Sequence, residues 1–362
     1  MLAESNRNYP EKYALVFMTN EAYASSFLVT LASALISSNL EDFNIYVGYA
    51  PDDPIDETWE TVTQLCQRFK FPVERCRRVE VDLDIFKKYG VFSIGSYHTY
   101  GRICLANMIR EPVLLYLDSD MIVLDDLAKL VKLAPETTAI AAVQDWWVPT
   151  HMDEPYEIVG HEAVKDTSPY FNGGLLLTNR SKYCNSDVFD QLKELSPRIE
   201  NVTYFDQTYL NIIFKNKWKS LPAHWNVLTH PRLPGSFVFD DRIASIIHFA
   251  TPEKPWRHAE INIPNILWLS IAQNIGIELE PTVSRNYSEL AKQFKLHEYT
   301  ETRKKYIHEM IDLVPSLEQY REQLFHSSEQ FGAELSVVQS WLKHYQLDPI
   351  SEPFTHLLEL IK

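Results

Sequence analysis

Two carboxylates one residue apart stand at the end of an apolar run. Leu114-Leu115-Tyr116-Leu117 leads into Asp118-Ser119-Asp120, and Met121-Ile122-Val123 follows. A buried strand that ends in acids sets them at the sheet edge where ligands collect. Left alone, two such close carboxylates repel, so the pair asks for a cation or a proton. Carboxylate oxygens in this arrangement suit Mg²⁺ or Mn²⁺, and either ion bridges readily to a diphosphate. Taken singly, the tripeptide is weak, because Asp-x-Asp also finishes strands and caps helices.

Three further clusters carry chemistry of their own. Asn172-Gly173-Gly174, after Ser168-Pro169-Tyr170-Phe171, holds the only paired glycines of a chain with ten. Paired glycines allow a close backbone approach to a ligand or a positive φ, although a tight turn into a strand explains them as well. Asn172 offers hydroxyl groups both a donor and an acceptor. Asp206-Gln207 opens a helical stretch, where an Asp is often only an N-cap, but the pair also presents a carboxylate and an amide to a polar substrate. His248 ends a strand pattern, and Lys254 is followed by the stiff Pro255-Trp256. A lone His there is commonly a satisfied core residue. Added to two carboxylates, an imidazole moves the metal preference toward Mn²⁺, and a fixed ammonium neutralises phosphate.

Short strands separated by helix-length segments have to position these groups. Tyr13–Met18, Asn44–Tyr49, Val79–Val81, Val113–Leu117, Ala139–Val143 and Leu175–Leu177 read as strands. Ser25–Ser38, capped by Ser25 or Ser26, Asp56–Phe69 and Thr99–Ile109 read as helices. This alternation predicts an α/β fold with a mostly parallel sheet covered on both faces, whose ligands sit beyond the carboxyl ends of the strands. Past residue 260 the pattern turns helical. Asn265–Asn274 is one helix, and Leu317, Tyr320, Leu324, Phe331, Leu335, Val338 and Leu342 form an apolar stripe. The expected division is 1–260 for the sheet domain and 261–362 for a helical appendage that packs on it or on a second subunit, giving a homodimer through the C-terminal helices.

Composition removes several classes. The 362 residues carry 34 Lys+Arg against 49 Asp+Glu, a formal charge of −15, which argues against a nucleic-acid partner. No glycine spacing matches a dinucleotide fingerprint or a P-loop, so bound phosphates must rely on a metal or on side chains. Four cysteines without a C-x-x-C do not make a disulfide framework. The polar start lacks a signal-peptide core. The longest apolar stretch, Phe27–Ile36, is too short to span a bilayer. The expectation is a cytoplasmic protein with no membrane insertion.

In order and spacing, strand–Asp118-x-Asp120, Phe171-Asn172-Gly173-Gly174, Asp206-Gln207 and His248-Phe249-x₄-Lys254-Pro255-Trp256 resemble the retaining family-eight glycosyltransferases. That group includes glycogenin, galactinol synthases and bacterial lipopolysaccharide sugar transferases, and the likeness covers about residues 13–257. It implies a single GT-A type nucleotide-diphospho-sugar transferase domain. It further implies transfer of a hexose from a UDP-sugar to an acceptor hydroxyl with retention. By the same resemblance, Asp118, Asp120 and His248 would bind Mn²⁺, with Mg²⁺ as the alternative. Phe17, Thr19, Asn20 and Tyr23 would hold the uridine, and Ser119 would touch the nucleotide. Arg102 would meet donor phosphate or sugar, and Asp145, Asn172, Gly173, Asp206 and Gln207 would bind the hexose. Lys254 would stabilise the leaving diphosphate. The turn Phe17–Ala24 looks like that of glycogenin, which favours UDP-glucose over UDP-galactose.

Two positions depart from the family pattern. Thr251 replaces its usual glycine in the donor loop, and Thr203 stands where glycogenin has an additional Asp, so self-glucosylation is not implied. The acceptor is left open among a saccharide, a polyol and a protein side chain. Two alternatives belong to other classes. One is a phosphatase of the haloacid-dehalogenase type, with Asp118 as nucleophile, Asp120 as acid and Asp240-Asp241 at a metal. The other is a degenerate family member that only binds.

Overall fold

Apolar runs too continuous for a half-solvated strand build the centre of this molecule. The computed structural model describes residues 12–91, 93, 97–145, 157–158, 168–229, 238–239, 242–293, 301, 305, 336–337 and 339–347. Within it, Tyr13–Met18 (β1), Phe43–Tyr49 (β2), Cys76–Glu80 (β3) and Val113–Leu117 (β4) are followed by the short Met121–Val123 (β5). Ile140–Gln144 (β6), Phe171–Asn179 (β7), Lys219–Ser220 (β8), Val227–Leu228 (β9) and Ile246–His248 (β10) complete the strands that shape the site. The principal sheet has the order β8-β6-β7-β4-β1-β2-β3. Every pair is parallel except those of β7, which runs antiparallel to β4 and β6. β1 and β4 are buried on both faces and show no polar alternation, as a covered parallel sheet requires. The edge strand β3 exposes Arg77, Arg78 and Glu80, charges that discourage pairing with another chain.

The helices follow the expected pattern with small changes. Ala24–Ser37 (α1), Asp56–Arg68 (α2) and Gly101–Met108 (α3) lie between the early strands, and Phe205–Ile213 (α4) lies beside β7. The expected cap of α1 at Ser25 or Ser26 is not made. Instead Asn20 Oδ1 accepts the Tyr23 N–H at 3.1 Å and caps a 3₁₀ turn that runs directly into α1. α1 is buried almost all round, and its hydroxyls serve the neighbouring chain. Thr30 Oγ1 donates to the Met121 carbonyl at 2.8 Å and accepts the Met121 N–H at 3.0 Å, while Ser33 Oγ accepts the Val123 N–H at 2.9 Å. These polar interruptions of the Phe27–Ile36 run therefore hold β5 in place just beyond the Asp-x-Asp turn.

A second sheet of three strands, β9-β10-β5, brings distant sequence to that turn. β10 pairs antiparallel with β5, with His248 opposite Met121. The Phe249 N–H then donates to the Asp120 carbonyl at 2.9 Å.

Beyond residue 260, Ile263–Asn274 (α5) is capped by Asn262 and packs on α1, and Pro281–Gln293 (α6) follows. Leu342 and Leu347 join the main core, and Trp341 Nε1 donates to the Leu124 carbonyl at 3.3 Å. Of the apolar stripe expected there, Leu342 is described and buried, whereas Leu317, Tyr320, Leu324, Phe331, Leu335 and Val338 lie outside the described residues. All four cysteines are free thiols. No described helix is long and apolar enough to cross a membrane.

Candidate active site

β4 ends at Leu117, and Asp118 and Asp120 follow at the carboxyl edge of the principal sheet. One ligand atom each from Asp118, Asp120 and His248 lies within 4.8 Å of the others. His248 Nε2 is 3.2 Å from Asp120 Oδ1 and 3.7 Å from Asp118 Oδ2. Two carboxylates and one imidazole converging on a single point make a donor set fitted to a divalent cation with mixed oxygen and nitrogen ligation. Lys254 Nζ reaches the same turn, 2.6 Å from Asp120 Oδ2, and also donates to the Phe249 carbonyl. Burial alone would raise the Asp120 pKa, but the Lys254 ammonium outweighs it and holds the carboxyl well below the usual carboxylate range.

The paired glycines neither form a turn nor adopt positive φ. Both lie in strand β7, and their value is close approach. A Cβ on Gly174 would stand 2.3 Å from His248 Cε1 and 2.8 Å from Asp118 Oδ2, and one on Gly173 would stand 2.9 Å from Arg102 Nη1. Glycine is thus what lets the His248, Asp118 and Arg102 side chains lie close against the strand. The Gly174 carbonyl also accepts the Asp118 N–H at 2.8 Å.

Arg102, in the first turn of α3, is buried and fully engaged by the protein. Its guanidinium stacks on the Tyr116 ring at 4.9 Å and pairs with Asp118 at 3.1 Å; Nη1 donates to the Gly173 carbonyl. Burial opposes its charge, yet Asp118 and Asp206 together raise its pKa. Asp206 is not an N-cap. It lies inside α4 after Phe205, whose φ of 44° is in the left-handed region, and its carboxylate points inward. Asp206 Oδ2 is 2.8 Å from Arg102 Nε, but that N–H is directed at the Thr99 carbonyl. The oxygen is therefore an ion-pair neighbour with no hydrogen bond. Burial pushes the Asp206 pKa up to about 6, against the pull of Arg102.

Asn172, Asp145 and Gln207 form one polar cluster beside the triad. Asn172 Nδ2 donates to Asp145 Oδ2 at 3.0 Å, Gln207 Nε2 donates to the same oxygen at 3.3 Å, and Gln207 Oε1 accepts the Gly173 N–H at 2.8 Å.

The turn after β1 forms the other wall. Thr19 is buried, and its N–H donates to the Gly48 carbonyl at 3.0 Å. Ser119 Oγ donates to the Met18 carbonyl at 2.7 Å, tying the Asp-x-Asp turn to the end of β1. Tyr23 is half-buried, with Lys254 Nζ 5.9 Å and the Arg257 guanidinium 5.5 Å from its ring centre. The Phe17 side chain faces the core, its ring 5.4 Å from Phe27. Thr251 is half-buried in the loop between His248 and Lys254. A cavity of about 370 Å³ opens at the ends of β2 and β3, lined among others by Ala50, Asp52, Asp82, Tyr97 and His98. Beside this lining, Asp53 lies 3.3 Å from His98 Nε2 and accepts the Glu21 N–H at 3.3 Å.

Two site residues escape a reading of the sequence. Tyr116 OH donates to Asp118 Oδ1 at 2.9 Å, and strand alternation, which puts residues two apart on one face, was the signal for it. Asn226 sits between His248 and Asn172, and nothing in its local sequence marks it.

Comparison with known proteins agrees with this geometry. The profile of glycosyl transferase family 8 matches residues 14–260. The chain is 26% identical to the glycosyltransferase GlyF of Streptococcus pneumoniae over 260 residues, covering 70% of this chain and 60% of GlyF. It is 24% identical to general stress protein A of Bacillus subtilis over 262 residues, covering 67% of this chain and 86% of that protein. Among solved structures, the galactosyltransferase LgtC, crystallised with donor and acceptor sugar analogues, shares the fold with a TM-score of 0.61 at 21% identity. That match covers 74% of this chain and 98% of LgtC. The Asp-x-Asp turn, the glycine pair, Asp206-Gln207 and the His248–Lys254 loop all fall within the matched segment, and the chain belongs to glycosyl transferase family 8.

Proposed function

We propose that this protein transfers a hexose from a UDP-sugar to an acceptor hydroxyl with retention at the anomeric carbon, in a Mn²⁺-dependent reaction. The observation that carries the reading is the convergence of Asp118, Asp120 and His248 with Lys254 against the same turn. A divalent cation bound there would neutralise the donor diphosphate and stabilise the charge that grows on it at departure. Asp118, Asp120 and His248 would hold that ion, with Mg²⁺ the alternative. Lys254, leaving Asp120 for the phosphate oxygens, would add a second positive charge. Thr19, Asn20, Tyr23 and the backbone of Phe17 would cradle the uridine, with Ser119 and Thr251 nearby.

Asp145, Asn172, Gly173 and Gln207 would face the hexose hydroxyls. Asp206 and Arg102 would set the floor beneath the anomeric centre. Because Asp206 is clamped beside Arg102 and turned into the protein, we favour attack by the acceptor on the face from which UDP departs, with a diphosphate oxygen taking its proton. Glucose is favoured over galactose on the glycogenin-like turn at Phe17–Ala24. A saccharide, a polyol or a protein side chain would accept the sugar. The family match ends at residue 260, which supports a boundary there between the transferase domain and the helical appendage.

The phosphatase reading loses ground to the family 8 match over residues 14–260 and to His248, an imidazole beside both carboxylates that this chemistry does not need; its Asp240-Asp241 pair lies outside the described residues. A binding-only protein is disfavoured because Asp118, Asp120, His248 and Lys254 are all in place. The test is UDP release across a panel of UDP-sugars with Mn²⁺, with and without EDTA. Release that EDTA abolishes, strongest with one UDP-hexose, is the expected result. Phosphomonoester hydrolysis without UDP release would replace the reading.

A further inference from the structure

His248, Asn226, Asn172 and Asp145 are all buried and form a single line of hydrogen bonds. His248 Nδ1 is 3.1 Å from Asn226 Oδ1; Asn226 Nδ2 is 2.9 Å from Asn172 Oδ1; Asn172 Nδ2 is 3.0 Å from Asp145 Oδ2. The direction of this line is forced from its far end. The Gly174 backbone N–H, which only donates, meets Asn172 Oδ1 at 3.0 Å. The Asp145 carboxylate, which only accepts when ionised, meets the other side of the same amide. Asn172 must therefore turn its oxygen toward Gly174 and Asn226 and its NH₂ toward Asp145. Asn226 must then donate its NH₂ to Asn172, which leaves its oxygen facing the imidazole. That oxygen needs a proton on Nδ1, and a neutral ring with Nδ1–H carries its lone pair on Nε2, the atom that faces Asp118 and Asp120.

We propose that Asn226 is a positioning residue that fixes the tautomer and orientation of His248 and ties the metal-facing ring to Asp145. This inference rests on the proposed metal and hexose roles of those residues. Outer partners of a ligating histidine act in this way by orienting the ring and raising its basicity. Here the partner is an amide with two roles, accepting from the ring and donating to Asn172, so one side chain links the ends of the donor subsite.

The two roles separate in variants of the full chain. Asn226→Asp keeps an acceptor for Nδ1–H but sets one oxygen against Asn172 Oδ1, breaking only the second link. Asn226→Ala removes both. Long-range ¹⁵N NMR of histidine-labelled protein at mildly alkaline pH, with His248 assigned by His248→Gln, reads the tautomer directly. The wild type is expected as Nδ1–H, and an Nε2–H ring would overturn the proposal. Mn²⁺ titration in the presence of UDP, followed by electron paramagnetic resonance, gives the second readout. Asn226→Ala is expected to weaken Mn²⁺ on the order of 10–100-fold, and Asn226→Asp to bind at least as tightly as the wild type while transferring sugar more slowly. Wild-type Mn²⁺ affinity in Asn226→Ala would overturn the proposal. If Asn226→Ala does not fold, the wild-type tautomer and Asn226→Asp decide. A wild type that is Nδ1–H yet binds no Mn²⁺ upholds the relay and removes the metal reading instead.

Discussion

Lys254 Nζ and Asp120 Oδ2 are joined by a buried ion pair of 2.6 Å. The cation proposed for the departing diphosphate thus rests on a carboxylate proposed for the metal. Metal entry must share or displace that ammonium, so the two cations compete until a diphosphate draws the lysine away. Lys254→Met is therefore expected to bind Mn²⁺ alone more tightly than the wild type, while its kcat falls by about 100–1000-fold, as for loss of one preorganised charge. Calorimetric Mn²⁺ titration without nucleotide, set beside transfer rates, checks both signs. Weaker Mn²⁺ binding by the variant would show that the ammonium is no competitor.

Gly174→Ala tests the close approach of strand and triad. The new Cβ would stand 2.3 Å from His248 Cε1, with the Asp118 N–H bonded to the carbonyl of the same glycine. The ring must rotate or the strand must move. Overpacking of this kind costs about 1–3 kcal/mol, so denaturant melts should show a folded but weakened protein. Its Mn²⁺ binding and its transfer activity should both be lost. Retained metal binding would show that the ring can retreat at no loss.

The strand β4 is legible in sequence because Pro112 and Asp118 bracket five consecutive apolar residues, a run too short for a helix and without helical periodicity. The same holds for His248 at the end of β10. What local sequence does not encode is partnership. Leu175–Leu177 looks like any buried strand, and its antiparallel place between β4 and β6 follows from chain return, not from its residues. The glycine pair reads equally as a turn or an approach until the side chains it must clear are known. Asn226 acquires its role only where three separate segments meet. Asp206 resembles a cap because caps and site carboxylates share the first helical turn, and only Arg102, a hundred residues earlier, tells them apart.

Glu260 provides a pH-dependent contribution to stability. Burial, with Glu253 adding to it, pushes its pKa from 4.5 up to about 7 despite a bond from Asn262. A carboxyl whose folded pKa is raised favours the native state in its protonated form. Stability is therefore gained below 4.5 and given up as pH rises toward about 7. Glu260→Gln, neutral throughout, should raise Tm by about a few degrees at pH 8, and this difference should shrink on acidification toward 4.5. Tm measured across that range for both proteins gives the answer, and a pH-independent difference would assign the effect to packing.

Tyr287, from α6, latches the loop that carries Lys254. Its hydroxyl donates to the Pro255 carbonyl at 3.0 Å, with the His258 carbonyl at 3.2 Å, and accepts from Asn265 Nδ2 at 3.3 Å. On the other side of the loop, Arg257 donates to the Ala22 carbonyl at 3.2 Å, and the Trp256 ring packs 5.5 Å from Trp268. The lysine is thereby held between the turn after β1 and the helices beyond residue 260. Tyr287→Phe keeps the buried ring but leaves the Pro255 carbonyl without its donor, a loss of about 1–3 kcal/mol. Hydrogen exchange of residues 250–258 should quicken, and the donor KM should rise more than kcat falls, because the lysine is freed without being removed. Mn²⁺ affinity should not fall, since Asp118 and Asp120 lie in the turn between β4 and β5 and His248 on β10, none of them on the loosened loop. Unchanged exchange across 250–258 would mean that Trp256 and Arg257 alone hold the loop, and that the helices after residue 260 leave Lys254 untouched.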